Sequence, residues 1–138
     1  MALPITNSNI SLQWSTNFFA VIFTTNEPCD TYYTLDGSDP TTSQTRSLYV
    51  DAFIIKTEGI TTVKYYSISQ STHLSNAVQT EYVKIDSIAP ITTVNTSIPA
   101  DGENGWYVTL PVITLTASDA VSGLKSIHYS WDGESFQE

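Results

Sequence analysis

Asp36 and Asp39 stand three residues apart in YYTLDGSDPTT, Tyr32 to Thr42, around Gly37 and Ser38. Two carboxylates so close admit three chemistries. With backbone carbonyls they could hold calcium, an ion that gathers many oxygen ligands. In a cleft, with one pKa raised, they could serve as acid and base on a glycosidic bond. Or they could only shape a turn, because Asp bonds its own backbone and Gly supplies a positive φ. Two acids are few for a calcium loop, and a hairpin tip has no cleft. The turn is therefore the expectation, a calcium site on Asp36 and Asp39 the lesser alternative, and a catalytic pair the least.

Other reactive side chains are sparse. Cys29 is the one cysteine, so no intrachain disulfide can form. It reads as a small buried hydrophobe near a strand start. His73 lies in a polar loop and His128 in a strand, without the tight local pairing that zinc wants. No Gly-x-Ser-x-Gly elbow or phosphate-cradling glycine loop occurs. Neither a catalytic group nor a cofactor is expected, and the chain reads as a non-enzyme. Aromatics offer a different chemistry. Trp14, Trp106 and Trp131, with eight Tyr, could stack on sugar rings or fill a core. Core is expected for Trp14 and Trp106. Trp131 sits between Ser130 and Asp132 beside a turn, and Tyr32 and Tyr66 alternate with the inward-facing set. Trp131, Tyr32 and Tyr66 are thus the sugar-stacking candidates.

The elements that must position these residues are strands. Period-two alternation runs through Ile10-Leu12-Trp14, through Tyr33-Leu35, through Val63-Tyr65-Ser67 and through 77–85; FAVIFTT, 19–25, is one strand-length apolar run. Turn clusters punctuate them at 26–28, 36–40, 58–59 and 75–76. Six or seven short strands before residue 86 imply an immunoglobulin-like antiparallel β-sandwich over 1–86. DSIAPITT then reads as a link, 87–93. Strands restart at 106–108, 112–117 and 127–131, giving a second, incomplete immunoglobulin-like unit over 94–138. The fold class expected is all-β.

A weak repeat ties the two units. Tyr33-Thr34-Leu35-Asp36-Gly37 returns as Tyr129-Ser130-Trp131-Asp132-Gly133. Asp-Gly after a strand is a hairpin signal, so Asp36 is expected in a tight turn. The second copy is followed by few residues, and its apolar positions Val112, Ile113, Leu115, Ile127 and Tyr129 are expected to be covered by a longer parent chain or a neighbour's strand.

Composition limits the partners. Lys and Arg total 5 against 14 Asp and Glu, a net charge of -9, in a chain with 17 Ser and 20 Thr. Nucleic acid and anionic membrane need cationic contacts, so neither is expected. No window approaches a membrane span, and MALPITNSNISLQW lacks a basic n-region. Without a signal, cytoplasmic action or release by lysis is the expectation.

Two resemblances complete the reading. Residues of about 32–85, with Tyr32 to Thr41, Tyr49 and Thr61 to Lys64 as the matching pieces, resemble the chitobiase C-terminal type of immunoglobulin-like module; Val50-Asp51 departs from its pattern. Residues of about 89–138 are similar to immunoglobulin-like repeats of bacterial surface proteins, through Asn104 to Tyr107, Thr114 to Ala117, Asp119, Ser122-Gly123 and Tyr129 to Gly133. The resemblances imply tandem, non-catalytic modules of bacterial surface proteins, secreted glycoside hydrolases or phage virions. The absent signal favours a structural or adhesive virion protein (fibre, tail or capsid decoration) at the virion surface, partnered by other subunits of its assembly. The alternative is a carbohydrate-binding accessory module, extracellular or at the bacterial surface, partnered by cell-surface glycans.

Overall fold

The computed structural model describes residues 2–138, so Met1, where the leader expectation begins, lies outside the described residues. Among those residues there is no α-helix, and no helix long and apolar enough to cross a membrane. The chain divides into two compact units, one ending at Ser87 and one spanning Ile88–Glu138.

The first unit is a sandwich. Its larger sheet contains β2 (Trp14–Ser15), β5 (Cys29–Thr34), β6 (Ser47–Leu48), β8 (Gly59–Ser69) and β9 (Gln79–Ile85). They lie in the order β2-β9-β8-β5-β6, with β2 parallel to β9 and the other neighbours antiparallel. Two short ladders complete it. β1 (Thr6–Ser8) pairs β4 (Phe23–Thr25), and β3 (Phe19–Val21) pairs β7 (Phe53–Ile55).

The apolar run 19–25 is therefore two strands, not the one expected. It divides at Ile22, which is exposed, and Asn9 holds the division. The Asn9 side chain accepts from the Ile22 amide at 2.8 Å and donates to the Ala20 carbonyl at 2.8 Å, while the Asn9 amide donates to the Ile22 carbonyl at 3.2 Å. A side chain thus replaces the ladder bonds lost where the chain changes partner. The alternation of Ile10, Leu12 and Trp14 likewise forms only the two-residue β2; Ile10 packs on the core, and Leu12 is exposed.

Val21, Phe23 and Ile55 from the short ladders meet Val63, Tyr65, Val83 and Ile85 from the large sheet. Phe23 is the hub, with ring centroids 4.5 Å from Tyr65, 5.1 Å from Tyr49 and 6.1 Å from both Tyr33 and Phe53. Offset and edge-on rings of this kind add to the burial term. The inward positions of β8 continue as Ser67 and Ser69, which are buried too. Ser67 survives there because its hydroxyl meets Thr6 Oγ1 at 2.6 Å and Thr31 Oγ1 at 2.7 Å, and Asn76 closes the group by accepting from the Ser67 amide at 2.7 Å. Satisfied in this way, hydroxyls can occupy a core.

The second unit has one ladder. β10 (Ile91–Thr96) pairs β11 (Ile113–Ser118) antiparallel in six-residue register. Thr92, Val94 and Thr96 share a face with Ala117, Leu115 and Ile113; the opposite face is polar, with Thr93 and Thr116 hydroxyls 2.6 Å apart. Ile91 already lies in β10, inside the segment expected as linker. The expected strand at 106–108 is absent. A short 3-10 turn at Glu103–Gly105 precedes it, and Asp101 takes the Val108 and Thr109 amides that a strand would need. Trp106 is 74% exposed, not core. The expected strand at 127–131 reduces to a bridge between Tyr129 and Gln137.

Candidate functional site

The acidic loop joins β5 to β6 and spans 35–46. It is wider than the tight Asp-Gly hairpin expected, because pairing stops at Tyr33↔Ser47. Gly37 adopts φ +76°, the left-handed turn position that the sequence implies. Asp36 then bends the loop around its carboxylate. Oδ1 accepts from the Ser38 amide at 3.0 Å and the Ser38 hydroxyl at 2.5 Å, and Oδ2 accepts from Thr45 Oγ1 at 2.7 Å. Ser43 Oγ lies 2.8 Å from both Ser38 and Thr45 hydroxyls, closing a small ring. Asp39 starts the next bend by accepting from the Thr41 amide at 2.8 Å and the Thr41 hydroxyl at 2.7 Å.

This geometry is that of a turn. The Ser38 and Thr45 hydroxyls hold the Asp36 carboxyl well down, at about 2. The Thr41 hydroxyl and amide, helped by the Lys64 charge, lower that of Asp39. A general acid needs the opposite shift. A calcium ion needs oxygen lone pairs turned toward it, and here the hydroxyls and amides turn their hydrogens toward the carboxylates instead. Asp36 and Asp39 are turn-building residues in this geometry.

The second Asp-Gly copy works alike. Asp132 Oδ1 accepts from the Ser135 and Glu134 amides at 2.8 and 2.9 Å and from the Ser130 hydroxyl at 2.8 Å, and its carboxyl is pushed far below the ordinary range, chiefly by the Ser135 and Glu134 amides. Cys29 opens β5, half-buried, and burial raises its thiol pKa, so the thiol stays protonated at neutral pH.

The aromatic candidates do not form one set. Tyr32 and Tyr66 face each other across β5 and β8 and stack at 5.8 Å, and the Arg46 guanidinium lies 5.0 Å over the Tyr32 ring. Arg46 is fixed by donating to the Thr41 carbonyl at 3.2 Å. Tyr66 is only 6% exposed, which removes it as a sugar platform; Tyr32 is half-buried, between the Tyr66 ring and the Arg46 guanidinium. Trp131 belongs to the second unit and is 72% exposed. Sequence alternation missed its surroundings. Tyr129, Trp131 and Phe136 wall a groove of about 740 Å3 whose floor is Val94, Ile113 and Leu115. Phe136, near the chain end, gave no sequence signal.

Comparison with known proteins bears on the first unit alone. No curated protein and no solved structure matches the chain. One family does match, over residues 13–80, from β2 to the start of β9. It is described as the chitobiase/beta-hexosaminidase C-terminal domain, an immunoglobulin-like module. The sandwich, the YYTLDGSDPTT loop and this match agree: residues 13–80 are similar to the chitobiase/beta-hexosaminidase C-terminal domain family.

Proposed function

We propose that the chain is a non-catalytic accessory module of a secreted glycoside hydrolase or a bacterial surface protein, placing its parent on polysaccharide. The family match over 13–80 carries this reading, since the matching domain is a C-terminal accessory domain and not a catalytic one. The acidic loop agrees, with both carboxyls held low and saturated by donors. Such a module works outside the cell and partners with glycans and with the rest of a longer parent chain. The virion role expected from the sequence draws no support from the family match or the fold. Two assays test the reading. The purified chain should release nothing from chromogenic N-acetylglucosaminides, and it should be retained on insoluble polysaccharide such as chitin or on bacterial cell-wall preparations. Turnover above blank, or passage through every matrix, would sink it.

A further inference from the structure

The groove in the second unit lies between the apolar face of the β10–β11 ladder and the 129–137 hairpin. Its volume, about 740 Å3, is within the about 300–1,000 Å3 common for small-ligand sites. Trp131 and Phe136 are 72% and 70% exposed at its wall. Exposed rings of this size are costly in water unless something covers them.

The wall is held in place before any ligand arrives. The Trp131 ring meets Tyr129 edge-to-face, 5.9 Å between centroids at 80°. Tyr129 exchanges both backbone hydrogen bonds with Gln137, at 2.9 and 2.8 Å, and its phenol donates to Gln137 Oε1 at 2.9 Å. The turn between them is tied by the Asp132 carboxylate. A preorganised wall leaves little ordering cost to binding.

The lining also fixes the ligand's character. His128, Ser130 and Thr92 bring polar groups to the apolar surface, and no Lys or Arg lines it. The chain's charge of -9 repels anions. Aromatic faces suit the C–H face of a sugar ring, and hydroxyl and imidazole groups suit its hydroxyls. A strand from a second copy is the rival occupant, but the charge of -9 on each copy opposes bringing two together.

We propose that this groove binds a neutral oligosaccharide, with Trp131 stacked on a pyranose ring and Ser130 Oγ, which already donates to Asp132 and accepts from Gly133, offering its remaining lone pair to a sugar hydroxyl. The assignment rests on the accessory-module reading and adds to it the site and the ligand class. The full chain is titrated calorimetrically with N-acetylchitotetraose, cellotetraose and the acidic oligogalacturonate. At least one neutral probe binds and oligogalacturonate does not. Trp131→Ala weakens binding by ~10-fold or more, as loss of a stacking anchor should, while Trp14→Ala leaves it unchanged; both variants keep the wild-type circular dichroism. If wild type and Trp131→Ala are retained equally on insoluble polysaccharide, the groove assignment falls and the accessory reading stands. If wild type is not retained at all, both fall. A dimer in sedimentation that Trp131→Ala dissolves assigns the groove to a second copy and overturns the proposal, as does tighter binding of the acidic probe.

Discussion

Tyr65 donates its phenolic hydrogen to Glu81 Oε1 at 2.8 Å, joining β8 to β9 at the edge of the first unit's core. Ser8 reaches the other oxygen of the same carboxylate from β1, so one Glu81 ties both layers. Burial, and then the Glu81 bond, raise the Tyr65 pKa to about 12.

The sign of its pH dependence follows. Tyr65 is neutral when protonated, and its folded pKa lies above the unfolded value. Its contribution is complete below about pH 10 and is lost as pH rises toward 12. In an ultraviolet titration Tyr65→Phe should remove the last-ionising phenol and leave the other transitions in place. Retention of that late transition in the variant would assign it to another Tyr. The variant should also lose ~1 kcal/mol of stability, a typical net value for one hydrogen bond.

The acidic loop should titrate in the opposite sense. Asp36 has a folded pKa depressed to about 2, so its stabilisation is present above about pH 4 and fades as pH falls toward 2. Carbon-detected NMR of the carboxyl should place the midpoint near 2, and Thr45→Val should raise it. Chelator should leave the melting temperature unchanged. A fall on chelation that calcium reverses would restore the ion-loop reading.

The hydroxyl group buried at Ser67 gives a third expectation. Ser67→Ala removes the partner shared by Thr6 and Thr31 and should cost ~1–3 kcal/mol in urea unfolding, since two buried hydroxyls lose a bond. Phe23→Ala, at the aromatic hub, should cost ~3–5 kcal/mol. A smaller loss from Phe23 than from Ser67 would mean that the rings repack around the gap.

Amide exchange should separate the two units. β8 is paired along its whole length, by β9 over 59–65 and by β5 over 64–69, and its inward residues are buried, whereas β10 is exposed at every residue and has one partner. Amides of 91–96 and 113–118 should therefore exchange much faster than those of 61–69 in the monomer. Equal protection would mean that the second unit is self-sufficient.

Alternation and punctuation made the large sheet legible. Val63, Tyr65 and Ser67 face inward as their spacing requires, and β9 buries Val83 and Ile85. What stayed hidden were the places where a side chain replaces a ladder bond. Nothing local in FAVIFTT announces that Asn9, far back in the chain, will cut it at Ile22. The Asp36 turn was readable from Asp-Gly, but its width was not, because the width depends on Thr45 and Ser43 closing the ring from the far side. Tyr66 failed as a surface candidate for a related reason. Period two marks which face of a sheet a residue joins, and only its neighbours on that face decide whether water reaches it.

The parallel pairing of β2 with β9 has a mechanical consequence. Trp14 and Ser15 lie beside Lys84 and Ile85, and the Asp86 amide donates to the Ser15 carbonyl at 2.9 Å. β1 lies ahead of β2 and is held to β4, β9 is the last strand of the unit, and β2 and β9 point the same way. Tension between entry and exit therefore drags the two strands past each other along their length. Their hydrogen bonds, which run across the direction of pull, are strained together in shear, not opened one at a time as in a peeled hairpin. A module tethering its parent to a fixed substrate in flowing liquid would carry its load at that seam once β1 had let go of β4.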